Sequence, residues 1–144
     1  MNVSLRFENK TFNHDIRLAI TIASTLLSEK SKMIEEIKTK NDFVFGSGDG
    51  LKVAANLLLD RPLVPVFLFK SINPFTRSLG YFDGKAIFIN RRSLDKLSIV
   101  QLTGLMLHEY SHYCGYGHGN NFKTKAKTET SVPYFLSENI QKWI

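Results

Sequence analysis

The sequence predicts a single α+β domain in which helices pack on a mixed sheet, and three observations carry that prediction. Hydrophobic spacing switches between the period of strands and that of helices in the order strand, helix, strand, helix, strands, helix. The chain has 144 residues, 43% of them hydrophobic, enough for one core and short for two. No repeat, low-complexity tract or long Pro/Ser linker divides it.

Residues 2–8 alternate Val3, Leu5 and Phe7 with polar neighbours and read as a first strand. From Asn13, a candidate N-cap, Ile16, Ala19, Ile20, Ala23, Leu26, Leu27, Ile34 and Ile37 recur at helical spacing. The pattern predicts one long N-terminal helix of roughly six or seven turns backing the sheet. A short strand over 42–45, a glycine-rich turn over 46–50 and a helix over 51–59 come next. That turn, with Lys52 after it, lacks the G-K-[ST] ending of a phosphate-binding loop and reads as a strand-to-helix connection. Residues 63–70, rich in Val and Phe, read as a buried strand.

The loop Asn73-Pro74-Phe75 leads into a hairpin with its turn at Asp83-Gly84 and its second strand over 85–90. Ser98 and Gln101 have capping-box spacing and start the principal helix near Ile99, with Ser93 an earlier alternative. Gly115 stops that helix after Cys114, and Gly104 inside it predicts close packing against the sheet. A polar segment over 117–130 and a short helix or turn over 131–144 complete the chain.

Nineteen Lys plus Arg against 13 Asp plus Glu give a net charge of +6, which favours acidic partners without choosing among nucleic acid, an anionic surface and an acidic peptide. A lone Cys114 excludes an internal disulfide and reads as a buried small hydrophobe. The longest apolar stretch, 63–69, contains Pro65 and falls far short of the roughly 20 residues that span a bilayer, so no membrane partner is expected. The stretch 18–27 follows Asp15 and Arg17 and lacks a cleavage site. It reads as part of a mature helix, which makes the cytoplasm the default compartment and secretion the alternative if a leader has been removed.

Three of the four histidines fall between His108 and His118, whereas His14 sits at a helix start with no metal role expected. Residues i and i+4 of a helix differ by about 40° in direction, so His108 and His112 project from one face and can share an ion. Glu109, offset by about 100°, leans over that ion without occupying a ligand position. A chain reversal at Gly115 can return His118 as third ligand. Three imidazoles leave a fourth position for water, the arrangement of a catalytic rather than a structural zinc site.

The pattern H-E-x-x-H-x-x-G-x-x-H, made by His108, Glu109, His112, Gly115 and His118, resembles the metzincin clan of zinc metallopeptidases at all five defining positions. The resemblance implies a zincin-like fold, with residues 1–115 as an upper subdomain holding the twisted mixed sheet and the active-site helix, and 116–144 as a very small C-terminal one. It places an antiparallel edge strand beside the cleft, a position that 85–90 would fill. It further implies Zn2+ held by His108, His112 and His118, a peptide or protein substrate aligned along that edge, and peptide-bond hydrolysis with Glu109 as general base.

One feature of the clan is missing. Its methionine turn lies downstream of the third histidine, whereas Met1, Met33 and Met106 all precede His118. Ser131-Val132-Pro133-Tyr134 is the candidate replacement, with Tyr134 as a catalytic hydrogen-bond donor; an ordinary turn with a packed tyrosine is the alternative. Lys123, Lys125 and Lys127 would bias a neighbouring cleft toward acidic substrates, or form a solvated loop. Two other functions share the histidines: a zinc endoribonuclease of the H-x-x-x-H-x-x-G-x-x-H type and a non-catalytic zinc-binding module. Glu109 disfavours a nucleic-acid substrate, because a carboxylate repels RNA phosphate. A monomer is the default state.

Overall fold

A computed structural model describes residues 4–43, 49–71, 79–118 and 131–144, and within them the β-branched and aromatic runs pair into one mixed sheet. Its strands are β1 (Phe7–Asn9), β2 (Val64–Phe69), β3 (Gly80–Phe82) and β4 (Ile87–Asn90), in spatial order β1-β2-β4-β3. β1, β2 and β4 run parallel, and β3 lies antiparallel to β4 at the edge. Among the described residues six α-helices accompany them: α1 (His14–Leu26), α2 (Lys32–Thr39), α3 (Gly50–Leu58), α4 (Arg91–Lys96), α5 (Ile99–Tyr113) and α6 (Val132–Asn139), the last running into a 3₁₀ turn over Ile140–Trp143. None is long and apolar enough to cross a membrane.

The two faces of the sheet differ as the pleat requires. Phe7, Val64, Val66, Ile87 and Ile89 point inward and share one hydrophobic cluster with α1, α5 and the C-terminal residues Val132, Phe135, Leu136, Ile140 and Trp143. On the outer face Phe67, Phe88 and Tyr81 stand side by side across three strands, with ring centroids 5.5 and 4.9 Å apart.

The helix expected to run unbroken from Asn13 past Ile37 is two helices. The Ser31 hydroxyl takes the Ile34 amide hydrogen at 3.1 Å and donates to the Leu26 carbonyl, so it ends α1 and starts α2 together. Apolar spacing continues across this break because both helices bury the same side of the chain. Of the first strand expected over 2–8, residues 2 and 3 lie outside the described residues and β1 begins only at Phe7, with Leu5 47% exposed and Phe7 buried. Of the strand over 42–45, Asp42 is not in a strand and Phe43 forms a single bridge; Val44 and Phe45, the glycines before Asp49, the loop at Asn73-Pro74-Phe75, and Lys123, Lys125 and Lys127 lie outside the described residues.

The hairpin turn sits one residue later than its Asp-Gly signal suggests. Asp83 accepts from the Lys85 and Ala86 amides, both at 2.8 Å, which makes Gly84-Lys85 the central pair, with Gly84 at φ +99°. The antiparallel edge strand is therefore β3, and the 85–90 segment expected there supplies interior strand β4 instead. Ser93 caps nothing: Asn90 starts the separate helix α4, and Ser98 starts α5. Gly104 faces α6 rather than the sheet, since a Cβ there would meet Ile140 Cγ2 at 3.2 Å and the Ser137 carbonyl at 3.3 Å.

Gly50 makes the tightest junction. Its amide donates to the Lys40 carbonyl at 2.9 Å, and a Cβ would collide with the backbone carbonyls of Ile37 and Lys40. Gly50→Ala should cost about 3 kcal/mol in urea denaturation, the upper end for an overpacked site. Gly117→Ala, where a Cβ meets nothing within 4 Å, should cost nothing measurable.

Candidate metal centre

Helix α5 is fixed at both ends by its own sequence. The Ser98 hydroxyl accepts from the Gln101 amide at 3.1 Å and the Gln101 side chain accepts from the Ser98 amide at 2.9 Å, a complete capping box. At the other end Gly115, at φ +99°, lets its amide reach the His112 carbonyl at 2.9 Å and the Tyr116 amide reach the Ser111 carbonyl at 3.0 Å. These two bonds form a Schellman motif, which reverses the chain and returns His118 to the helix it has just left.

Ring nitrogens of His108, His112 and His118 all lie within 4.8 Å of one another, and Nε2 of His108 is 3.2 Å from Nε2 of His118. Imidazole nitrogens bonded at about 2.0 to 2.1 Å to a tetrahedral ion sit about 3.4 Å apart, so the closest pair is already at ligand spacing. The remaining ring atoms are held from behind. His112 Nδ1 donates to the Tyr116 carbonyl at 2.7 Å, which turns its unprotonated Nε2 toward the group. His108 hydrogen-bonds the backbone of Pro133, and since proline has no N–H, the carbonyl accepts. The donor set fits a metal ion.

Electrostatics keep the ligands ready. Burial, then repulsion by His112 and His118, hold His108 down to about 3 against the pull of the Pro133 carbonyl. His112 is also lowered, by burial first. Both are neutral at pH 7, the state a metal requires. Glu109 is 4% exposed, and burial alone raises its pKa to about 7.

The group opens into a cleft. One chamber of about 520 Å³ is bordered by β3 and by His108, Glu109, His112, His118 and Tyr134. A second of about 380 Å³ shares Gly80, His108, Glu109 and Tyr134 and extends between Leu79, Leu97 and Leu105. The Tyr134 ring lies against His108 and His118, at centroid distances of 4.8 and 4.6 Å. His108, Glu109, His112, His118 and Tyr134 thus line one cleft, while Lys123, Lys125 and Lys127 lie outside the described residues. Sequence reasoning missed the carbonyls of Pro133 and Tyr116, which leave no side-chain signature, and the edge position of β3, the first strand of the expected hairpin. Cys114 is buried as expected, and burial pushes its thiol up to about 11.

In the metal-free protein, His108 and His112 take up protons less readily when folded than when unfolded. Their contribution to stability is therefore full above the ordinary histidine pKa of about 6.5 and is lost as pH falls from there toward 3. Urea midpoints measured on metal-free protein should drop across that window, and His108→Leu should flatten the slope. An unchanged slope in the variant would remove His108 as the acid-sensitive group.

No protein-family model matches the chain, and neither curated proteins nor solved structures give a significant match.

Proposed function

We propose that the chain is a zinc-dependent metalloendopeptidase with a zincin-like arrangement, related in motif to the metzincin clan. The single observation that carries this reading is the convergence of three imidazoles beside a buried glutamate in a cleft edged by an antiparallel strand. His108, His112 and His118 would hold the zinc, with their rings oriented by the carbonyls of Pro133 and Tyr116. A bound zinc supplies Lewis acidity, lowering the pKa of water to about 7 and polarising the scissile carbonyl.

The chain's own groups supply the rest. Glu109, with its pKa raised to about 7 by burial, can accept the proton of the attacking water at neutral pH and return it to the leaving amine, so the proton count closes on acid plus amine. Tyr134, whose ring lies against His108 and which lines both chambers, would act as hydrogen-bond donor to a developing oxyanion. Among the described residues β3 is an edge strand, where an extended peptide would pair. The chamber beyond, walled by Leu79, Leu97 and Leu105, accepts an apolar side chain next to the scissile bond. No Lys or Arg lines either chamber among the described residues, which favours an uncharged peptide over an RNA phosphate.

Cleavage of a mixed peptide library, followed by mass spectrometry, tests the reading. Glu109→Ala should keep one zinc per chain and lose about 10²- to 10⁴-fold in rate. Tyr134→Phe should lower kcat about 100-fold with zinc content and KM unchanged. Cleavage of RNA but not peptides by the wild type, surviving in Glu109→Ala, would transfer the site to the endoribonuclease reading. Zinc binding with no turnover of either substrate would leave a binding module.

A further inference from the structure

Behind the turn that carries His118 lies a polar cluster with no part in the chemistry above. Asn56, half-buried on α3, donates from Nδ2 to the Cys114 carbonyl at 3.1 Å, across 58 residues of sequence. Its Oδ1 accepts from Arg61, whose guanidinium also reaches the Asn56 carbonyl. The Tyr116 hydroxyl hydrogen-bonds the same Asn56 side chain. Arg61 can only donate and a carbonyl can only accept, so the amide has one orientation open to it.

Both contacts fall on the Gly115 turn. Cys114 is the C-cap of α5, and its carbonyl is left over once the Schellman bonds are made. Tyr116 presents its hydroxyl to Asn56 and its carbonyl to His112 Nδ1. A shift of the turn would therefore turn the His112 ring and move His118, two residues further on. We infer that Asn56, oriented by Arg61, is a positioning residue that clasps the Gly115 turn to α3 and sets the geometry of the three-histidine centre. The inference rests on reading that centre as a metal site, but it concerns the chain's own hydrogen bonds.

Asn56→Leu, of similar volume, removes the donor and the acceptor together. Two measurements on the full chain read the result. In metal-free protein, long-range 1H–15N NMR should find His112 as a single Nδ1–H tautomer in the wild type and as a mixture in Asn56→Leu. Competition against a zinc chelator should show Kd raised about 10- to 100-fold in the variant, the range for outer contacts of a metal site. Tyr113→Phe is the control: its hydroxyl donates to the Pro62 carbonyl at 2.7 Å and ties the same helix end to the same region without touching the turn. It should lower stability and leave tautomer and Kd as in wild type.

An Asn56→Leu protein that loses only stability, with tautomer and Kd unchanged, overturns the proposal. If that variant does not fold, Arg61→Met, which keeps Asn56 and removes its orienting cation, takes its place with the same criteria. Wild-type protein with a single tautomer but no zinc binding would sink the metal reading and support the clasp. Mixed tautomers in the wild type would sink the clasp whatever the protein binds.

Discussion

The absent side chain at Gly104 sets how closely α6 can approach α5, and the centre is built on that distance. Gly104, His108 and His112 are spaced four apart and so form one stripe of the helix. Ser137 and Ile140 fill the space over Gly104. One turn further on, the same approach puts the Pro133 carbonyl on the His108 ring and the Tyr134 ring against His108 and His118. The opposite side of α5 meets the sheet, where Tyr110 lies against Phe7 at 5.1 Å between ring centroids. Held from both sides, the helix presents its histidines at a fixed depth.

Depth in turn explains the electrostatics. Low-dielectric surroundings oppose charge of either sign, so one environment lowers the pKa of His108 and His112 and raises that of Glu109 to about 7. The two effects suit each other. Neutral imidazoles offer lone pairs to a cation, and a carboxyl poised near neutrality can take or give a proton. For Glu109 the cause of the shift is burial. Arrival of a divalent cation would change this balance more than any residue in the chain does.

Much of this was legible in the chain because the signals are short-range. The Ser98–Gln101 box, the four-residue histidine spacing and Gly115 each depend on neighbours within about one turn, and each lies where its pattern places it. Tyr134 belongs to the candidate replacement for the methionine turn, and its ring lies against His108 and His118. What escaped was set by distant partners or by missing pattern. Apolar spacing runs through Ser31 although the helix does not. Gly104 announces a close approach without saying to what, and α6 rather than the sheet fills the space. Nothing near Asn56 suggests a partner at Cys114.

Among the described residues the sheet has two flanks, β1 and β3, and each is three residues long, against six for β2 and four for β4. An unpaired flank is the usual starting point for copies of a protein to join into fibres, and its reach grows with length. Here one flank borders the cleft and has to remain accessible if anything extended is to lie along it. Gly80 begins it, and the acidic and basic residues Asp83 and Lys85 follow directly in the turn. Brevity and flanking charge thus answer two opposed demands: three residues would suffice to pair with a short stretch of extended backbone in the proposed reading, and they offer little length for edge-to-edge joining of copies.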